Sequence, residues 1–476
     1  MVRPEIKRIQ QAAEEVKNFL EPRLGESKKI KIISHGDADG ISAAGIIVRA
    51  LYLFDVPFTV QITRRPMNPE EIAELSKDPH DIFMFLDQGT SQLDAIYKTL
   101  LSKQKDVVVI DHHPGNFHEH PNLAILNPHL YGMNGAKDAS ASTSAYLVVE
   151  HLDAKLRGLV GLALAGAIGD RQHYFSGFTG VNEVIEESAV DLGFIRVAEG
   201  LKLIGRSLKP ILECLRTSTR PYLPGLSGNP HACRELLTSV DIRPSTYISN
   251  LRKEEQLAVC EAIVARVGKN ATNENFMHTL WGEIYIDVSD FKSDVGDLRE
   301  LATVMDACSN LNKPEIGLAV SVGDADLVPE AVSLLSSRQE EMLKAMNWFV
   351  KSKTSIKHRK AFQYINCGEE VDASFVGEMV SLAIESGLVE TNTPILALTS
   401  LQSGEIKISA RGTPKLAMDG INLGISVSKA ALAVGGFGGG HDVAAAARIQ
   451  KERVEEFLTK LDEIMIGGSN GLQRAD

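Results

Sequence analysis

Four short apolar runs, at residues 30–34, 82–86, 107–110 and 123–126, alternate with helical patterns such as those at 42–53 and 140–152. A strand that is apolar along its whole length, not only at alternate positions, is buried on both faces. Such strands separated by helices form a parallel sheet between two helical layers, so the chain is predicted to begin as an α/β fold. Ahead of the first run, Ile6, Ile9, Ala13, Val16 and Leu20 recur at steps of three and four, which predicts an N-terminal helix with one buried face, stopped by Pro22 and Gly25.

Polar residues fall at the carboxyl ends of these strands. The first run leads into His35-Gly-Asp37-Ala-Asp39-Gly40, the second into Asp87-Gln-Gly, and the third into Asp111-His112-His113-Pro. Ligands of open α/β sheets bind outside the carboxyl ends of strands, so these three clusters are expected to converge. Asp170, which follows the apolar helix predicted at 159–168, is a fourth member.

The chain has 476 residues, with 50 Lys and Arg against 62 Asp and Glu, for a formal charge of −12. That balance excludes a generally basic nucleic-acid coat but permits a local basic groove. Cys214, Cys233, Cys260, Cys308 and Cys367 are scattered and never form a CxxC pair, which predicts reduced thiols instead of a disulfide framework or zinc ribbon. With no signal-peptide pattern and no apolar run of membrane length, the expected location is the cytoplasm.

Beyond residue 195 the texture changes. Residues 198–215 read as a helix carrying Lys202, Arg206 and Lys209, followed by a proline- and glycine-rich connector from Arg216 through Arg220 to Pro230. A near-repeat follows: Val295-Gly-Asp-Leu-Arg-Glu-Leu-Ala302 precedes Asn312-Lys-Pro314, and Val376-Gly-Glu-Met-Val-Ser-Leu-Ala383 precedes Asn392-Thr-Pro394. Each is expected to continue into an apolar strand, giving two related units. Between them, residues 330–353 read as a helix ending in a basic tract. Near the C-terminus, Gly435-Gly-Phe437-Gly438-Gly439-Gly440-His441 is expected to lead into a small-residue helix, whose N-terminal dipole and N–H groups would favour an anion.

Oxygen and imidazole donors without thiolate suit hard or borderline divalent ions, manganese or magnesium above structural zinc. His35, Asp37, Asp39, Asp87, His112 and Asp170 are the candidate ligands for two ions, with Asp87 bridging them. Two ions about 3.5–4 Å apart clamp a phosphate, activate a water and stabilise the leaving oxygen, so the constellation points to phosphoester hydrolysis. Each fragment alone is weak, since DxDG often forms a turn. Gly323-Asp-Ala-Asp-Leu327 lacks the flanking histidine and glycine and reads as a loop. The inference rests on the ordered conjunction at the strand ends of one sheet.

Taken in order, His35-x-Asp37-x-Asp39-Gly40, Asp87, Asp111-His112-His113 and Asp170 resemble the successive motifs of the DHH phosphoesterase superfamily. Ser409-Ala-Arg411 and Gly438-Gly439-Gly440-His441 resemble its accessory DHHA1 domain. The spacing of HGDADG, the DHHA1 partner and the long insert between them make the chain most similar to RecJ-like single-strand exonucleases. Within these, it is most similar to the archaeal group that includes the nuclease associated with the GINS replication complex. One departure is that Asp442 and Val443 stand where the family commonly has proline, with alanines in place of the closing Ala-Gly.

The resemblance implies a parallel-sheet DHH domain at 1–195, a connector at 196–230, an α/β insertion at 231–345 and a smaller α/β DHHA1 domain at 346–476. It implies one manganese held by His35, Asp37 and Asp87, and another by Asp39, Asp87, His112 and Asp170. Asp111 would orient His112, His113 would contact the scissile phosphate, and Ser409, Arg411, the three glycines 438–440 and His441 would bind a phosphate or terminal nucleotide. The implied function is a Mn²⁺-dependent, or Mg²⁺-dependent, exonuclease on single-stranded DNA or RNA in replication or repair, with GINS as a possible partner and the insert as its docking surface. Two other readings stand beside it: an oligonucleotide or cyclic-dinucleotide phosphodiesterase, and a replication-complex scaffold.

Overall fold

The computed structural model describes residues 3–24, 28–173, 177–268 and 274–472. The chain divides into two compact units, one comprising Met1–Lys209 with Gly282–Arg338 and the other Pro210–Trp281 with Gln339–Asp476.

The first unit is built on β1 (Ile30–His35), β2 (Phe58–Thr63), β3 (Ile82–Leu86), β4 (Asp106–Ile110) and β5 (Leu123–Leu126), in the order β2-β1-β3-β4-β5, with every pairing parallel. Its first seven helices are α1 (Pro4–Leu24), α2 (Ala38–Leu53), α3 (Pro69–Leu75), α4 (Leu93–Thr99), α5 (Ala141–Leu152), α6 (Val160–Gly169) and α7 (Gly180–Asp191). Successive strand side chains point to opposite faces. Ile32, Met84, Leu86, Val108 and Ile110 accordingly pack among buried residues of α1, α2, α5 and α6, while Ile33, Phe83, Phe85, Val107 and Val109 pack with α3 and α4. Burying each such side chain contributes about 1.5–3 kcal/mol, and the one charged residue inside an interior strand, Lys31 of β1, is paired with Asp78 at 2.7 Å.

Several local expectations are corrected. Pro22 lies inside α1, where Arg23 bonds the Phe19 carbonyl and pairs with Asp106, carrying the helix past the proline. Gly25 falls outside the described residues. The edge strand β2 escaped the sequence pattern because it is only partly covered and so carries no continuous apolar run. The segment read as a helix from 198 to 215 is instead β6 (Ile195–Leu201), a turn through Gly205 at φ +99°, and a short helix Ile211–Arg216. β6 pairs with β7 (Trp281–Asp287), a tertiary partner that local sequence does not reveal. The residues after Asn312-Lys form the helix Pro314–Ser321, begun by a proline at its first position, and not a strand. The near-repeat therefore breaks after its first block. Gly323–Leu327 is an exposed turn.

The stretch between 231 and 345 is shared between the units. Helices Leu298–Asn310 and Pro314–Ser321 belong to the first, where Leu298, Leu301, Met305, Cys308 and Val320 join the same core as α2 and α6.

The second unit carries a mixed sheet of β8 (Lys357–His358), β9 (Gln363–Gly368), β10 (Ile395–Ser400), β11 (Glu405–Arg411), β12 (Phe437–Gly440) and β13 (Ala444–Gln450), in the order β12-β13-β11-β10-β9-β8. Helix Val376–Glu385 covers one part of the sheet, and helices Leu423–Ala433 and Val454–Leu472 cover the opposite face. The expected small-residue helix after the glycines is the strand β13. Ala445, Ala447 and Ile449 are buried while Ala446 and Arg448 are exposed, and this alternation against β11 overrides the helix propensity of alanine. All five cysteines are buried free thiols, and among the described residues no helix is long and apolar enough to cross a membrane.

Candidate metal centre

Each motif of the first unit sits where a strand or helix ends. β1 finishes at His35, and Asp37 caps α2, accepting from the Gly40 N–H at 3.0 Å. Gly40 is required there, because a Cβ would lie 2.2 Å from the His35 carbonyl oxygen. Asp87 follows β3 in the left-handed region at φ +54°, a conformation that Asp adopts more readily than most residues. Asp170 is the C-cap of α6, where the helix dipole disfavours a carboxylate unless a cation faces it.

These ends converge. His35 Nδ1 lies 2.8 Å from Asp37 Oδ2 and 3.1 Å from Asp87 Oδ2. His112 Nε2 lies 3.1 Å from Asp87 Oδ1, 3.1 Å from Asp170 Oδ2 and 3.9 Å from Asp39 Oδ2. Ligands at right angles around an ion at about 2.1 Å stand about 3 Å apart, so the four separations of 2.8–3.1 Å match the edges of a coordination shell and the Asp39 contact is wider. His35, Asp37 and Asp87 form one potential ion-binding group, Asp39, His112 and Asp170 form another, and Asp87 presents one oxygen to each. The donor set fits divalent metal ions.

The electrostatics agree with a site shaped for cations. Burial pushes Asp39 up to about 6, helped by the neighbouring Asp170 charge, and burial together with Asp37 raises Asp87 well above its ordinary range. Burial opposes a charge on His35, but hydrogen bonds with Asp37 and Asp87 outweigh it and push the imidazole up to about 11. Without a metal the carboxylates are paired with protonated His35 and His112, and metal ions would take the place of those protons.

Supporting residues hold this shell. His112 Nδ1 donates to the Gly135 carbonyl at 2.7 Å, leaving Nε2 as the ligating nitrogen, and Gln172 Nε2 donates to the same carbonyl at 2.9 Å. Gly135, not Asp111, therefore orients the His112 ring. Asp111 instead accepts from the backbone N–H groups of His112 and Thr90 and bonds His113 Nδ1 at 2.8 Å. Burial opposes a charge on Asp111, but His113 draws it down to about 2, and the same bond raises His113. Asp39 accepts from the N–H groups of Ala141 at 2.7 Å and Ser142 at 3.0 Å, and from the Ser142 hydroxyl, so it is held at the N-terminus of α5. Gly166 lets α6 approach, since a Cβ there would meet Ser142 Oγ at 2.2 Å and Asp39 Oδ1 at 2.7 Å. Asp306 accepts from the Ala38 N–H at 2.8 Å.

Some of these supports left a trace in the sequence. Ser140 and Thr143 form a capping box at the start of α5, and Gly166 and Gly169 lie on one face of an otherwise apolar helix. Gly135 shows only as an Asn-Gly turn, and Asp306 gives no local signal at all.

In the second unit, Ser409 and Arg411 lie on β11, and Gly438–Gly440 lies on β12, two strands away. Arg411 donates to Ser381 Oγ at 3.1 Å and to the Ala410 carbonyl at 2.9 Å. His441 is exposed at the end of β12. The helix that meets this loop is Leu423–Ala433, whose first N–H groups are taken by the Asp442 and His441 carbonyls at 2.9 and 2.8 Å. The anion site expected from a free helix N-terminus is therefore absent at this end. Of the basic residues near the connector, Arg206 is buried beside Asp297, Arg216 pairs with Glu213 and Glu340, and Arg220 forks onto Glu385. Each of these three arginines is thus engaged with a carboxylate.

Comparison with known proteins matches residues 29–167 to the N-terminal domain of the DHH family and residues 360–467 to the DHHA1 domain. An uncharacterized protein of Methanocaldococcus jannaschii is 25% identical over 466 residues, spanning 97% of this chain and 98% of that protein. Among solved structures, RecJ of Thermus thermophilus in complex with Mn²⁺ superposes with a TM-score of 0.57 at 17% identity over 96% of this chain, which spans 54% of that RecJ. The same RecJ is also solved with Mg²⁺. CDC45 from Entamoeba histolytica gives a TM-score of 0.65 at 11% identity, covering 96% of this chain and 99% of that one.

Proposed function

Because the chain belongs to the DHH superfamily and joins a DHH domain to a DHHA1 domain, we propose that it is a two-metal phosphodiesterase acting as an exonuclease on single-stranded nucleic acid, with a role in replication or repair. The observation that carries this reading is the placement of Asp87, whose two carboxylate oxygens each lie 3.1 Å from a different histidine, His35 and His112, at the centres of two separate ligand groups. Mn²⁺ is the favoured ion and Mg²⁺ the alternative, in line with the RecJ structures. When bound, such ions polarise a phosphate and lower the pKa of an attacking water.

The protein's own residues supply the rest. Asp37 and His35 hold one side of the site, and Asp39, His112 and Asp170 the other. His113, half-exposed and fixed by Asp111, presents its remaining ring nitrogen outward to a phosphate oxygen. Its raised pKa favours the imidazolium, which makes that contact charge-assisted. In the second unit, Arg411, Ser409, the glycines of β12 and His441 are assigned to the phosphate or terminal nucleotide of the substrate.

A second reading is a replication-complex subunit with GINS as partner; the likeness to CDC45 is one of fold. The complete ligand set favours catalysis, and the two roles are compatible. Labelled single strands of DNA and RNA incubated with Mn²⁺ should shorten with time, and Asp39→Ala or His112→Ala should abolish this. Full activity in both variants would refute the metal assignment.

A further inference from the structure

One face of the second unit's sheet has more on it than the family motifs. Residues directly opposite each other in an antiparallel pair share a face. Lys407 on β11 lies opposite Arg448 on β13, which lies opposite Phe437 on β12, so these three form a row across three strands. A second row joins Ser409, Ala446 and Gly439. Arg411 on β11 lies opposite Ala444, on the same face.

The floor between the cations is made of Ala444, Ala446 and Gly439, and a Cβ built on Gly439 would meet nothing within 4 Å. Phe437 is 60% exposed, with the Arg448 guanidinium 6.0 Å from its ring centroid. The core of Ala445, Ala447 and Ile449 lies on the opposite face, and on this face helix Val376–Glu385 packs over β9, β10, Ser409 and Arg411, leaving Gly439, Ala446, Arg448 and the Phe437 ring exposed with no part in either core. The cations also oppose one another: burial lowers the Lys407 amine, and the charges of Arg448 and Arg411 lower it further, with Asp372 acting the other way. Lys407 is held in place by donating to the Ala373 carbonyl at 2.7 Å. An anion seated between Lys407 and Arg448 would relieve this repulsion.

We propose that this face is a second nucleotide subsite, in which Phe437 stacks a base and Arg448 with Lys407 takes the adjoining phosphate of a single-stranded nucleic acid. Lys407 and Arg411 stand four residues apart on β11, roughly 13 Å between their backbones, and define successive positions along the strand. The subsite therefore extends the substrate beyond the nucleotide assigned to Arg411, which suits a strand better than a lone dinucleotide. Base–aromatic stacking and charge-assisted phosphate contacts are the two elements of sequence-independent single-strand binding. The proposal rests on the reading of this chain as a nucleic-acid phosphodiesterase, but its residues need no metal.

The full-length protein, stripped of metal with EDTA, is titrated with a fluorescent ten-residue oligothymidylate at several salt concentrations. Wild type should bind, Phe437→Ala should weaken binding about tenfold, and Phe437→Trp should restore it. Lys407→Gln combined with Arg448→Gln should reduce the slope of log affinity against log salt by about 0.7, the signature of one lost phosphate contact. Failure of the metal-free wild type to bind, or wild-type affinity and slope in both Phe437→Ala and the double variant, overturns the subsite. Cleavage of the same strand with Mn²⁺ is followed in parallel. Phe437-dependent binding without cleavage would leave the subsite standing and refute the nuclease reading, whereas cleavage with Phe437-independent binding would do the reverse.

Discussion

His112 Nδ1 donates to the carbonyl of Gly135 at 2.7 Å, and this bond determines that Nε2 faces Asp39, Asp87 and Asp170. A ligating histidine needs its other nitrogen anchored, because an unanchored ring samples both tautomers and several orientations. The anchor lies in a loop 23 residues from the histidine.

Gly135→Ala should lower Mn²⁺ affinity by about 10–100-fold, the usual effect of disturbing a ligand's anchor. A Cβ at this position would sit 1.9 Å from the His112 carbonyl oxygen, so the loop must move and take its own carbonyl with it. Isothermal titration with Mn²⁺ checks this. Unchanged affinity would mean that Asp111 or another group sets the ring.

Asp87→Asn should abolish Mn²⁺ binding at both positions while raising the thermal midpoint of the metal-free protein. Asparagine tolerates the left-handed backbone at this residue, and it removes a buried carboxylate that Asp37 and Asp39 repel. Melting curves in EDTA and in Mn²⁺ measure both effects, and the variant's midpoint should not respond to the ion.

Glu300 should make the protein less stable as pH rises toward neutrality. Burial and the Asp297 charge push its carboxyl up to about 7, although it accepts from the Gly205 N–H at 2.6 Å and from Ser207. Between the ordinary carboxylate pKa and about 7 the folded state binds more protons than the unfolded state, so stability falls across that window and levels off above it. The loss is at most about 3 kcal/mol from a shift of this size. Urea midpoints from pH 5 to 8 should show the decline in wild type and a flatter profile in Glu300→Gln.

Asp306→Ala should cost about 1 kcal/mol of stability and weaken Mn²⁺ binding, because it removes the acceptor for the Ala38 N–H at the first turn of α2. Asp306→Asn keeps an acceptor oxygen and should recover most of both. Chemical denaturation and metal titration read the two effects separately. Loss of stability with unchanged metal affinity would confine Asp306 to a structural role.

Asp306 also changes the meaning of the insert. The sequence offered this region as a separable partner-binding surface, but helix Leu298–Asn310 places Met305 and Cys308 in the core shared with α2 and α6. Deleting residues 230–328 would expose that core, so a loss of partner binding in such a deletion would carry no information about the surface.

The buried strands and their acidic ends were legible because both signals are local. A strand covered on both faces must be apolar throughout, and ligands for hard cations must be carboxylate or imidazole at the strand ends. β2, β6 and β13 were misread or missed because their strand character comes from partners outside the segment itself: an edge pairing with β1 for β2, β7 for β6, and β11 for β13. Residue types fixed which atoms could hold an ion. Only the packed chain decided what holds those atoms, since Gly135 against His112, Ala141 and Ser142 against Asp39, and Asp306 against Ala38 meet across 23, 102, 103 and 268 residues. Backbone donors and acceptors are the same in every residue, so a support built from them exists only once the fold brings them together.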